Sequence, residues 1–177
     1  MKFVTRIGTE PLQTAIEYIP TEYSICPIHA NRVGVISSVL VNDVELLLDS
    51  DSRIVGVSGL CPHSRWEQTP ALPPPHKTGE LYIEGARLTH GISHRLTAPA
   101  EWPVSVNWDA NWICIGNTSA RSQECIEFNK GCVAVVNGGA LQALWLHPTN
   151  TLSRSDTNAD AKRKPAPRMA RHARLHS

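Results

Sequence analysis

Apolar and polar residues alternate along Lys2–Ile7, which predicts a first strand. Thr9-Glu10-Pro11 then reads as a helix entry, with Thr as the cap and Pro inside the first turn. Leu12, Ala15, Ile16 and Ile19 follow at i, i+3, i+4 and i+7, one helical face, and Pro20 ends it. The pattern predicts one short N-terminal helix.

From Val33 onward the texture becomes β. Val33–Val41 is rich in β-branched residues. Val44–Leu48 and Ile54–Leu60 flank the polar Asp49-Ser50-Asp51-Ser52, a predicted hairpin. Leu81–Ile83 and Ala86–Leu88 around Glu84-Gly85 predict a second, and Val104–Val106 with Trp112–Ile115 a third. Cys132–Val136 and Ala140–Leu146 flank Asn137-Gly138, whose residues tolerate positive φ, and predict a fourth. Ala140–Leu146 is apolar at both parities except Gln142, so this strand is expected to be covered on both faces. The fold class expected is mainly β, α+β through the one short helix, with antiparallel hairpins forming a sandwich or an open barrel. Residues 42–62 and 128–148 share a length, a central turn and a terminal Pro. Only Leu60/Leu146 and Pro62/Pro148 match in identity, so the layout reads as likeness between hairpins, with duplication as the alternative.

Glu67–Thr78 carries four prolines and reads as a loop across a surface or an edge, with an interaction loop as the alternative. After Pro148 the apolar pattern ends. One β-rich domain is therefore expected over 1–148, followed by a disordered basic tail over 149–177. Charge sharpens this division. Residues 1–150 hold 14 acidic and 10 basic residues, a net of −4, whereas residues 151–177 hold 2 and 7, a net of +5. The near-neutral total thus averages an acidic body and a basic tail. The N-terminus lacks a signal-peptide pattern, no apolar run approaches a membrane span, and the five cysteines are odd in number, so a cytoplasmic location with free thiols is expected.

Candidate chemistry is sparse. Cys26-Pro27-Ile28-His29 and Cys61-Pro62-His63 offer two thiols and two imidazoles, a donor set that suits tetrahedral zinc if the four converge. The competing reading packs each Cys at a strand end, so no cofactor is expected, with a zinc-binding or enzymatic module on Cys26, His29, Cys61 and His63 as the alternative. Asp49-Ser50-Asp51-Ser52 opens like a calcium loop, but Ile54 and Leu60 stand where that loop needs Gly and Glu, leaving a turn. His90 and His94 lie four apart beside Gly91, in a loop pattern. No nucleophile elbow, phosphate loop or dinucleotide fingerprint occurs, so no catalytic residue is assigned. The tail basics Lys162-Arg163-Lys164, Arg168, Arg171 and Arg174 lack interleaved aromatics, which restricts any nucleic-acid contact to phosphates through the tail.

Gly59-Leu60-Cys61-Pro62 with Trp66, Trp102-Pro103-Val104, Trp112–Gly116 and Ala143–Pro148 resemble small bacterial immunity-type proteins over about residues 33–148. The resemblance implies a non-catalytic protein that binds and neutralises a toxin. An acidic body would steer a basic toxin domain. The partner-binding residues expected are Glu45, Asp49, Asp51, Trp66 and Trp108.

Overall fold

The computed structural model describes residues 1–8, 10–28, 34–96 and 101–154. Two mixed sheets pack face to face as a sandwich, and neither closes into a barrel. The smaller sheet runs β2 (Ile16–Ile19), β3 (Ser24–Pro27), β6 (Ile54–Leu60), β5 (Val44–Leu48), β4 (Ser37–Val41) and β9 (Ser93–Arg95). The larger runs β1 (Lys2–Ile7), β8 (Lys77–Glu84), β12 (Glu124–Asn129), β13 (Cys132–Asn137), β14 (Ala140–Leu146), β11 (Trp112–Gly116), β10 (Val104–Asn107) and β7 (Trp66–Gln68).

Five consecutive strands of each sheet follow one plan. The order β2-β3-β6-β5-β4 in the smaller sheet is the order β10-β11-β14-β13-β12 in the larger. Adding 88 to the residue numbers of the β2–β3 register gives the β10–β11 register: Glu17↔Cys26 becomes Ser105↔Cys114, and Tyr18↔Ile25 becomes Val106↔Ile113. The β-bulge between Leu47 and Leu48 recurs between Val135 and Val136 at the same spacing. A linking strand adds in parallel to each unit, β9 on β4 and β8 on β12. The reading of 42–62 and 128–148 as mere hairpin likeness is thus corrected: both lie in a longer structural repeat, offset by 88 residues up to β5 and by 87 in β6 rather than by 86.

Both units turn their apolar face inward. Ile25, Val39, Leu46 and Val57 of the smaller sheet meet a core that includes Ile113, Ile126, Ala134 and Leu144 of the larger. Each fully buried Ile or Leu contributes about 1.5–3 kcal/mol. The turns following β4 and β12 then reach across. Asn42 holds φ +54°, a conformation Asn tolerates better than most residues. Its amide donates to the Trp102 carbonyl (2.9 Å), and its Oδ1 accepts from the Trp102 N–H (2.8 Å). In the other direction, the Lys130 N–H donates to the Leu12 carbonyl (2.8 Å) and the Leu12 N–H to that of Phe128 (3.3 Å).

The larger sheet is also buried on part of its outer face. Cys114, Cys125, Val133, Val135, Ala143 and Trp145 form a second apolar cluster, against which Ala71 and Trp112 pack. The Pro-rich run crosses this face, tied by Thr69 N–H to the Val106 carbonyl (2.9 Å) and by the Asn107 amide to the Ala71 carbonyl (3.1 Å). Leu141, Leu144 and Leu146 enter the main core while Ala143 and Trp145 face the second cluster, as expected for a doubly covered strand.

Three further expectations are corrected. The N-terminal helix is absent: Ile16–Ile19 is strand β2, with Ile16 and Tyr18 buried in alternation. Its apolar residues satisfied both periodicities, and pairing with β3 decided between them. The Glu84-Gly85 hairpin does not form, because β8 instead pairs with β1 and β12. The packed body also continues beyond Pro148. The Thr149 N–H donates to the Ile16 carbonyl (2.8 Å), Asn150 exchanges hydrogen bonds with the Tyr18 backbone, and Leu152 is buried. The remainder of the predicted tail, 155–177, lies outside the described residues.

Asn42→Ala removes both clamp hydrogen bonds between the repeats. At about 0.5–1.5 kcal/mol for each bond, it is expected to lower stability in urea by ~1–3 kcal/mol. An unchanged midpoint would show that the clamp contributes nothing.

Candidate binding site

A groove of about 520 Å³ opens beside the strand ends of β10, β11 and β14, a volume typical of ligand sites. The exposed Pro103 and Ala140 supply apolar surface, over the buried Trp102 and Leu141. Glu67, Ser105, Asn117, Thr118 and Gln142 supply carboxylate, hydroxyl and amide groups, and among the described residues no Lys, Arg or His lines it. Glu67 is exposed and stands in register with Ser105 across the β7–β10 pair.

Local geometry positions each of these groups. Trp102 is 4% exposed and is held at its backbone by Asn42, yet its indole N–H finds no acceptor among the described residues. Gly116 sits at φ +117°, where a Cβ would lie 2.5 Å from the Gln142 carbonyl oxygen and 2.9 Å from Trp102 Cε3. Only glycine combines that backbone with that close approach. Gln142 is the extra residue of the β14 bulge, and bulges re-aim side chains. The Gln142 carbonyl accepts from the Asn117 N–H (3.0 Å), while Asn117 Oδ1 accepts from the Ser119 N–H (2.9 Å) and sets the following turn.

The other repeat provides an internal comparison. The hydrogen bond from Gly116 N–H to the Pro103 carbonyl (2.8 Å) has its counterpart in Ile28 N–H to the Ala15 carbonyl (2.8 Å). By the same 88-residue spacing Trp102 corresponds to Thr14, and the bulge that carries Gln142 carries Val55 in the first repeat. The repeats therefore share strand order and register but not every local detail: Gly116 takes a positive φ that Ile28 does not, and Trp102 belongs to the main core.

The residues expected from the sequence fall in several places. Trp66 and Trp108 come together, half-buried, with ring centroids 5.6 Å apart, and Tyr18 lies 4.9 Å from Trp66. His63 is buried in a 3₁₀ turn and packs edge-on to Tyr23 and Trp66. Glu45 faces outward on β5, while Asp49 and Asp51 lie in the β5–β6 turn, so the five partner residues do not form one patch. The Asp49 carboxylate accepts from the Asp51 and Arg53 N–H groups (2.9 and 3.0 Å), as the turn reading requires. Of the zinc candidates, Cys61 belongs to the main core, Cys26 is half-buried opposite Glu17 in β2, and His29 lies outside the described residues. Among the described residues, no three His, Cys, Asp or Glu side chains gather as a metal group. No helix among them is long and apolar enough to cross a membrane.

Sequence reasoning missed the groove. Trp102 reads as a core residue, which its burial matches, and nothing local marks Gln142 as bulged. The available signal was Gly116 at the end of an apolar strand, a sign of close backbone approach. No family model matches the chain, and no curated protein matches it significantly.

Burial pushes the Cys61 thiol up to about 12, with the Trp66 indole pulling weakly the other way, and pushes Cys114 up to about 12. Between the ordinary 9.0 and about 12 the unfolded chain releases these protons while the folded chain keeps them. Stability is therefore expected to fall as pH rises through that window. Chemical denaturation at pH 8 and pH 10.5 checks the sign, and a stability that rises would contradict it.

Proposed function

We propose that this chain is a binding protein and that the groove over Trp102 receives its ligand. The observation that carries the reading is the contrast between the repeats. The same backbone plan bears Thr14, Ile28 and Val55 in one and Trp102, Gly116 and Gln142 in the other, and the second set borders the groove. Ligand sites combine an apolar floor with a few convergent polar groups, and this groove has both.

The test is ¹H–¹⁵N NMR with a fragment library spanning acids, amines, polyols, amides and aromatics. Binding fragments are expected to shift the Trp102 indole and Gln142 signals together, and Gln142→Ala is expected to weaken them. Hits that shift other regions only, or none at all, would refute the groove.

A second reading is the toxin-neutralising one. It is favoured by the outer face of the smaller sheet, which carries Glu17 and Glu45 where the larger sheet carries Ser105 and Val133. Both carboxylates are partly exposed, and a basic toxin domain would complement them. Co-expression with a basic toxin domain encoded beside this chain is expected to rescue growth. The double change Glu17→Lys and Glu45→Lys is expected to abolish that rescue, and failure of the unaltered chain to rescue overturns the reading.

A further inference from the structure

We infer that the groove takes an uncharged polyhydroxylated ligand, a saccharide in chemical class; this rests on the groove being the binding site. The charge of the lining makes the first selection. Among the described residues Glu67 is its one charged side chain and takes part in no ion pair. A carboxylate with no cation beside it disfavours anions and accepts well from hydroxyl groups.

The kind of polar group makes the second. Ser105, Thr118, Asn117 and Gln142 each carry both donor and acceptor capacity, matching hydroxyls that also do both. Pro103 and Ala140 are exposed at the same groove and offer apolar surface to the C–H face of a ring.

The backbone argues against the alternative of an extended peptide. Such a peptide gains affinity by adding to a free strand edge. Here the candidate edge groups are already engaged: Gly116 N–H with the Pro103 carbonyl, Asn117 N–H with the Gln142 carbonyl, and β10 between β11 and β7. Recognition is left to side chains, whose spacing around a compact volume suits a small ring compound.

The full chain is applied to a printed array of neutral, amino and uronic-acid glycans, and bound glycans are then titrated by calorimetry. Saturable binding of neutral glycans is expected, weakened at least about fivefold by Gln142→Ala. Glu67→Gln is expected to reduce discrimination against uronic-acid glycans. Both side chains are at least partly exposed, and far-ultraviolet circular dichroism checks that the variants fold. Neutral binding that Gln142→Ala leaves unchanged would overturn the inference. So would binding confined to amino glycans and lost in Glu67→Gln, which would indicate a cationic ligand in the same groove. An array without signal would also overturn the saccharide class. If NMR fragments then still shifted Trp102 and Gln142, the groove would stand with another ligand, amides and peptides among the candidates. If they did not, the groove reading would fail with it.

Discussion

Each repeat covers the apolar face of the other, and the remaining structure depends on that mutual burial. A five-strand unit of this kind has one inner face of Ile, Val and Leu that water would otherwise meet. Two such faces laid together form one core without a helix layer. Because β9 adds to the first unit and β8 to the second, the segment joining the repeats is drawn into both sheets. The reciprocal reach of Asn42 to Trp102 and of Lys130 to Leu12 then fixes how the sheets sit against each other.

This scaffold leaves the outward-facing positions open to diverge. The inner positions of both repeats stay apolar, since a polar group there would be buried without partners. The outer positions do not share that restriction. Glu17, Cys26, Ser58 and Glu45 face outward on the smaller sheet, and Ser105, Cys114, Trp145 and Val133 stand at the matching places on the larger. The larger sheet covers its apolar outer residues with its own Pro-rich run and the segment holding Ala120. The groove lies beside this covered region, where strand ends, a bulge and a glycine meet.

The cysteines fit the same logic. Cys61, Cys114, Cys125 and Cys132 are buried as small apolar residues, and Cys26 alone of the five is half-buried. Cys61 and His63 are close in sequence but serve different surroundings, the main core and a shell of aromatic rings. Their spacing in the chain resembled a ligand set; their packing is that of a core and its rim.

The sequence by itself determined the β class, the first strand, three of the four hairpins, the double cover over Ala140–Leu146 and the turn at Asp49. Each of these is written locally, in alternation, β-branched runs or turn residues. The tertiary structure decided what local pattern leaves ambiguous. Ile16–Ile19 became a strand because β3 was there to pair with it, and Leu81–Ile83 paired with β1 rather than folding back. The repeat was hidden because inner positions need only be apolar, so backbone register persists while identity is lost. The groove was hidden for a related reason. Trp102, Gly116 and Gln142 are separated along the chain, and they meet only because the β14 bulge, the β11 end and the clamp from Asn42 bring three distant segments to one place.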